Sequence, residues 1–477
     1  MLVYCPLTSD RFCYYVDAGL MTKISRYRKT LFILVLTALV LTGTFCGWFA
    51  SKDRLNLIIV LVDTLRADHL GYHGYPRPTS PGIDDLAAAS AVFRNHYSTA
   101  SRTGPAVASV FTGLYPRSHG VINPLIYWDA KGILGDEQTT LAEILQAEGY
   151  ACHGIITNPN VTGRFGFAQG FETYRMVASM EAREVNELAV TLLTTAISKP
   201  FFLYLHYMEP HSPYAAPRAY EGLFVDPGYR GPITGEHAQL DEIVAGRLTV
   251  DEADVRELEG LYDQEVRNFD DEFGRLLDAL RDAGLMENTV IVFIADHGEE
   301  FLEHGSVLQG YTLYQEQLHV PFFIYDPRNR EPREVTAITR HIDVLPTVLD
   351  LLGIELEGPV QGESAVYLIE GSAQAGEALP VFAEASLMAV KTIRMRSLMV
   401  DGWKLIQTDL PVTRKELYHI EVDPSEQRDL ASTNPEVTEE LTARMNRLVK
   451  SLPVAPSRTV KLERQEIEAL RSLGYIK

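Results

Sequence analysis

Three stretches of this chain run apolar and then end in side chains able to hold a metal ion. "IIVLVDTLRADHLG" delivers Asp63, "HYMEPHSPY" delivers His211, and "VIVFIADHGEE" delivers the pair Asp296-His297. An isolated acid after a strand is ordinarily a helix cap or a turn residue. Three such ends brought to one sheet edge would instead assemble a site of carboxylates and imidazoles. That donor set suits Mn²⁺, Zn²⁺ or Fe²⁺ better than the all-oxygen cage of Ca²⁺.

The elements that must carry these residues are legible in the pattern. "LNLIIVLVD" is a continuous apolar run, and similar runs recur at 200–208, 289–298 and 320–327. Such runs are strands buried on both faces, typical of a mainly parallel sheet covered by helices. "TLAEILQAEG" and "VRELEGLYDQEVRNFDDEFGRLLDALRDAG" between them have helical character. The alternation predicts an α/β fold with a doubly wound central sheet, whose ligands sit beyond the C-terminal strand ends. Residues 213–250, rich in Pro, Gly and Tyr, read as a long loop or substrate lid. From about 386, shorter alternating runs predict a small antiparallel sheet, followed by the helix "PEVTEELTARMNRLVKSL".

The organisation expected is a cytoplasmic tail over 1–30, a membrane anchor over 31–50, a catalytic domain over 54–385 and a C-terminal subdomain over 386–477. "LFILVLTALVLTGTFCGWFA" is uncharged and long enough to cross a bilayer, and Lys23, Arg26, Arg28 and Lys29 precede it. That flank holds the N-terminus inside and sends the rest to the periplasmic or extracellular side. "GWFAS" is a poor cleavage site, which favours an uncleaved anchor over a signal peptide. Met21 would make a more ordinary start than Met1. A formal charge of -21 excludes a nucleic-acid partner, since phosphate binding needs a basic surface. Cys5, Cys13 and Cys46 lie in or before the apolar segment, leaving Cys152 as a lone, buried structural thiol.

The ordered motifs "NLIIVLVDTLRADHLGYHGY", "TGPAVASVFTGLYPRSHGV", "YMEPHSPY", "IADHGEEFLEHG", "LYQEQLHVPFFIYDP" and "HIDVLPTVLDLLGI" resemble the sulfatase family of the alkaline-phosphatase superfamily. The likeness runs from about 54 to the closing "LRSLGYI". It implies an α/β sandwich with a C-terminal subdomain, and one divalent metal that holds both the nucleophile and the transferred group. Asp63, Asp296 and His297 match family metal ligands. Thr103, in "Thr103-Gly104-Pro105-Ala106-Val107", falls on the nucleophile of the Cys-x-Pro-x-Arg signature and, as nucleophile, on the metal. His211 matches the histidine that contacts the transferred group or protonates the leaving oxygen.

Four departures bear on mechanism. Thr103 replaces a cysteine that the family oxidises to a hydrated aldehyde, whose second hydroxyl expels sulfate. Threonine has no second hydroxyl, so water must release the covalent intermediate, which is easier for phosphate than for sulfate. Thr64 replaces a second acidic ligand, moving the site away from Ca²⁺. Val107 replaces the signature arginine, leaving Arg66 or Arg102 as substitutes. Gln309 stands where relatives place a Lys or His, and it can donate a hydrogen bond but carry no charge.

The sequence therefore predicts an ester hydrolase of phosphate mono- or diesters, using a metal-activated Thr103, with Mn²⁺ favoured. A small-molecule, glycan or lipid ester is the expected substrate. The rival readings are a true sulfuric ester hydrolase, a transferase of phosphate-bearing head groups, and a non-catalytic binding protein. His69, His73, His119, His304 and His319 read as structural, and Glu299-Glu300 as the start of a helix.

Overall fold

A computed structural model describes residues 54–477 apart from 123–129, 196, 199, 330, 372–378, 388–392, 457, 474 and 476–477. The apolar segment over 31–50 and its basic flank lie outside the described residues. Among the described residues, no helix is long and apolar enough to cross a membrane.

Eight strands build the main sheet: β1 (Asn56–Val62), β2 (Ala91–Tyr97), β3 (Ala151–Ile156), β4 (Thr173–Met176), β5 (Phe201–Tyr207), β6 (Thr289–Ala295), β7 (Phe322–Tyr325) and β8 (Arg333–Arg340). Their order is β8-β2-β7-β6-β1-β5-β3-β4. The first three expected runs form its centre, with β1 parallel to β5 on one side and to β6 on the other. The fourth, β7, lies antiparallel to both its neighbours, β6 and β2.

Both faces are covered, and the alternation of β1 shows why its sequence carries no polar residue after Asn56. Leu57, Ile59 and Leu61 join one apolar core, while Ile58, Val60 and Val62 join the other. On the first face lie α1 (Thr103–Thr112), α2 (Leu141–Ala147) and α3 (His341–Leu351). On the second lies α4 (Glu252–Asp282), whose first turn is fixed by Asp251 accepting from the backbone of Ala253 and Asp254. The expected helix "TLAEILQAEG" likewise starts at a capping box, Thr140 with Glu143. Within 213–250 the structure contains one helix, His237–Val244, among turns and bends.

The C-terminal sheet has four antiparallel strands in sequence order, Val381–Leu387, Ile393–Val400, Trp403–Leu410 and Arg414–His419. Its predicted helix spans Pro435–Ser451 and packs against one of its faces. The chain then returns to the large body. Arg458–Lys461 pairs with Ala130–Ile133, and a last helix, α5 (Arg464–Ser472), follows. Leu470, Leu473 and Tyr475 are buried in the same core as α1.

Glu299-Glu300 begin no helix. Glu300–Phe301 pair with Val307–Leu308 in a short hairpin. Left-handed backbone at Leu302 (φ 70°) and Gly305 (φ 84°) turns the chain back before a helical turn can close. Cys152 is buried on β3, as expected, and burial pushes its thiol up to about 12.

Phe293, on β6, stacks at 4.7 Å on Phe323 and meets Phe269 and Phe273 of α4. Phe293→Ala should cost about 3–5 kcal/mol. Urea unfolding followed by intrinsic fluorescence should show the corresponding fall in midpoint, and an unchanged midpoint contradicts this packing.

Candidate active site

Because β1 and β6 run parallel in register, with Val62 opposite Ala295, the residues that follow them leave the same sheet edge side by side. These are Asp63 and Asp296, both fully buried. Asp296 Oδ1 accepts from the backbone N–H of Thr64 (3.1 Å) and of His297 (2.8 Å). Asp63 Oδ1 and Asp296 Oδ2 are buried with no hydrogen-bond partner. His297 donates Nδ1–H to Gly298 O at 3.0 Å, so its Nε2 is bare. That nitrogen lies 3.3 Å from Asp296 Oδ2, 4.0 Å from Asp63 Oδ1 and 3.5 Å from Thr103 Oγ1.

Burial and the charge of Asp63 push the Asp296 carboxyl well above the usual range. Burial pushes Asp63 up too, but the His206 hydrogen bond and the neighbouring histidines outweigh it and hold the group at about 2. Two facing buried carboxylates cannot both be charged without a cation. Orphaned oxygens from two acids, a bare imidazole nitrogen and a hydroxyl converging on one point fit a divalent ion. His206, at the end of β5, adds to this cluster: Asp63, His206 and Asp296 offer ligand atoms within 4.8 Å of one another. The sequence reading passed over His206 in favour of His211 five residues on.

Thr64, at the turn, has φ 53°, a region costly for a β-branched residue. The turn it makes aims its N–H at Asp296 and lets its carbonyl accept from Tyr262 at 2.8 Å.

Thr103 is the first residue of α1, where free backbone N–H groups favour negative charge. Asn158, just past β3, donates to Asp63 Oδ2 (2.5 Å) and lies 3.4 Å from Thr103 Oγ1 and 3.0 Å from the hydroxyl of Tyr475. His211 donates Nδ1–H to Ser212 O (2.7 Å), leaving Nε2 to accept from Gln309 (2.7 Å) and Tyr475 (2.9 Å). Burial lowers the His211 pKa, so the ring is neutral. A cavity of about 720 Å³ opens beside it, lined also by Ser212, Glu209, Glu265 and Tyr220.

Val107 is buried in the apolar core, so no charge stands at that position. Of the two arginines expected to compensate, Arg66 is committed elsewhere: it bonds Asp68 (2.7 Å), Glu303 (2.5 Å) and the carbonyl of Glu299. Arg102 fits better. Its Nε is buried without a partner, its guanidinium lies 5.6 Å over the Tyr311 ring, and its charge acts on both His211 and His297. A second cation was not foreseen. Lys131 is 1% exposed, donates to Asn160 at 2.8 Å, and is pulled down to about 7 by burial and by Arg102.

The remaining histidines have structural partners. His69 meets Asp263 at 2.7 Å, His304 meets Glu316 at 2.6 Å, His119 meets Ser109, and His319 meets the carbonyl of Arg94. His73 packs edge-on against His319.

A mostly parallel sheet between helices, with acids and histidines at its strand ends and a hydroxyl on a facing helix N-terminus, defines an α/β ester hydrolase of the alkaline-phosphatase kind. The Sulfatase family model matches residues 55–354, and a model of the N-sulphoglucosamine sulphohydrolase C-terminal region matches 303–451. The chain belongs to the sulfatase family, and is a hydrolase of sulfuric or phosphoric ester bonds. It is 27% identical over 406 residues to the multifunctional alkaline phosphatase superfamily protein PehA of Trinickia caryophylli, covering 67% of this chain and 78% of that protein. It is 25% identical over 382 residues to an arylsulfatase of Clostridium perfringens, covering 66% and 78%. The phosphonate monoester hydrolase of Agrobacterium radiobacter shares the fold, with a TM-score of 0.69, 18% identity, and coverage of 84% and 96%.

An ion bound at a hundred times its Kd adds about 2.7 kcal/mol to stability. Stripping divalent metal with EDTA should lower the melting temperature, and Mn²⁺ should restore it. Asp296→Ala should lose that Mn²⁺-dependent rise. A melting temperature indifferent to both treatments rules out a metal at this cluster.

Proposed function

We propose that the protein hydrolyses phosphate mono- or diesters, with Thr103 as nucleophile and one divalent ion, Mn²⁺ for preference, held by Asp63, Asp296 and His297. The observation that carries this reading is the convergence of Thr103 Oγ1 and His297 Nε2, 3.5 Å apart, on two carboxylate oxygens that have no other partner. The ion would supply the charge that makes the Thr103 hydroxyl a nucleophile near neutral pH and polarises an oxygen of the bound ester.

The chain's own residues do the rest. Asp63 is oriented by Asn158 and His206, and Asp296 by two backbone N–H groups, so both present one fixed oxygen to the ion. The start of α1 faces Thr103 with positive potential, and Arg102 adds a cation beside it. His211 Nε2 is an acceptor at rest. The proton released by the Thr103 hydroxyl as it attacks passes to His211 Nε2, which gives it to the departing oxygen, so the step is proton-neutral. Release of the covalent Thr103 ester requires attack by water on the transferred atom, because Thr103 offers no second hydroxyl to expel it. Phosphorus tolerates that route better than sulfur does.

The similarity to an arylsulfatase supports a second reading, hydrolysis of sulfate esters at the same site. Assays with an aryl phosphate, an aryl phosphodiester and an aryl sulfate under Mn²⁺ separate the two. Phosphate esters should turn over faster, and turnover of the sulfate alone overturns the preference. Thr103→Ala should lower kcat by about 10³-fold or more while Mn²⁺ still raises the melting temperature. Full activity of that variant disproves the nucleophile assignment.

A further inference from the structure

Tyr475 lies beyond every motif that named the site, yet its hydroxyl reaches the centre of it. It donates to His211 Nε2 at 2.9 Å, since the Nδ1–H of that ring is already given to Ser212. It accepts from Asn158 Nδ2 at 3.0 Å, the same nitrogen that lies 3.4 Å from Thr103 Oγ1. One oxygen thus bonds both the amide beside Thr103 and the histidine on the leaving-group side.

The segment that brings it there is built in. Leu470 is fully buried, Leu473 and Tyr475 nearly so, and all three belong to the core that holds α1. The strand Arg458–Lys461 is paired to Ala130–Ile133 just upstream, and Arg164 holds Glu463 and Glu466 at the start of α5. A strap that had to leave for substrate to enter would not share the core.

We propose that Tyr475 is a catalytic residue whose neutral hydroxyl donates a hydrogen bond to a non-bridging oxygen of the transferred phosphoryl or sulfuryl group. The group must sit between Thr103 and His211, and the Tyr475 hydroxyl is within reach of both of its ends. On binding, the donor turns from His211 to that oxygen, leaving Gln309 as the remaining donor at His211 Nε2. The bond strengthens as negative charge gathers on the oxygen in the transition state. A neutral donor here complements Gln309, itself neutral. This inference rests on Thr103 being the nucleophile.

The test is Tyr475→Phe in the full-length, Mn²⁺-loaded protein, with Leu470→Ala as a packing control. Loss of one such donor should lower kcat on an aryl phosphodiester by about 10²-fold, with KM within roughly threefold. The inhibition constant of orthovanadate, which mimics the five-coordinate transition state, should rise by about tenfold or more. Leu470→Ala should lower the melting temperature and spare both constants. Unchanged kcat in Tyr475→Phe overturns the proposal. So does tighter orthovanadate binding with faster turnover, which would make the hydroxyl an occupant of the substrate's place. An equal loss in Leu470→Ala overturns it as well, by tracing the effect to packing. Thr103→Ala separates the two levels: if it is inactive while Tyr475→Phe is normal, only the tyrosine assignment fails; if it is active, the nucleophile reading fails first.

Discussion

Two carboxylates that the sheet forces to face each other, out of water, govern the rest of this molecule. Asp63 and Asp296 leave adjacent parallel strands at the same level, and neither is solvated. Their repulsion is a cost that apolar residues would not incur. A cation between them removes that cost, so the same backbone register that builds the core also specifies a charged ligand. The surroundings follow from this arrangement. Asn158, His206 and the turn at Thr64 each hold one carboxylate oxygen, leaving another oxygen of each pointing inward.

Thr103 is placed by a different device. It opens a helix whose every residue is buried, so the hydroxyl has little freedom to drift from the two carboxylates. The Arg102 charge acts on both His211 and His297, while the two donors to His211 itself, Gln309 and Tyr475, are neutral. Lys131 is costly to bury, with an amide oxygen as its hydrogen-bond partner, and such groups persist where an anion completes them.

Most of the fold was legible because central strands buried on both faces have no choice of composition. "LNLIIVLVD", "PFFLYLHYM" and "TVIVFIADHG" read as such strands, and the polar residues near the end of each run mark the sheet edge. The same rule applied to "ACHGIITNPN" would have found Asn158, but amides were not weighed alongside acids and histidines. Strands β2 and β8 carry charged and polar residues such as Arg94 and Glu334, paired to each other near the sheet's edge, and so lack the apolar signature. The hairpin after Asp296-His297 was taken for a helix because its turn depends on the left-handed backbone of Leu302, which no residue type announces. Arg66 and Arg102 were indistinguishable by sequence; only the carboxylates of Asp68 and Glu303 decide between them. Tyr475 falls in the closing "LRSLGYI" of the resemblance, but its entry into the site is set by tertiary packing of α5.

The pairing of β1 with β6 joins residues 233 positions apart. Closing so long a loop costs chain entropy, and topologies rich in such contacts fold slowly. A nascent chain exposes Asp63 long before Asp296 exists. The facing carboxylates, and with them any place for an ion between them, are therefore assembled only once the two distant strands have met.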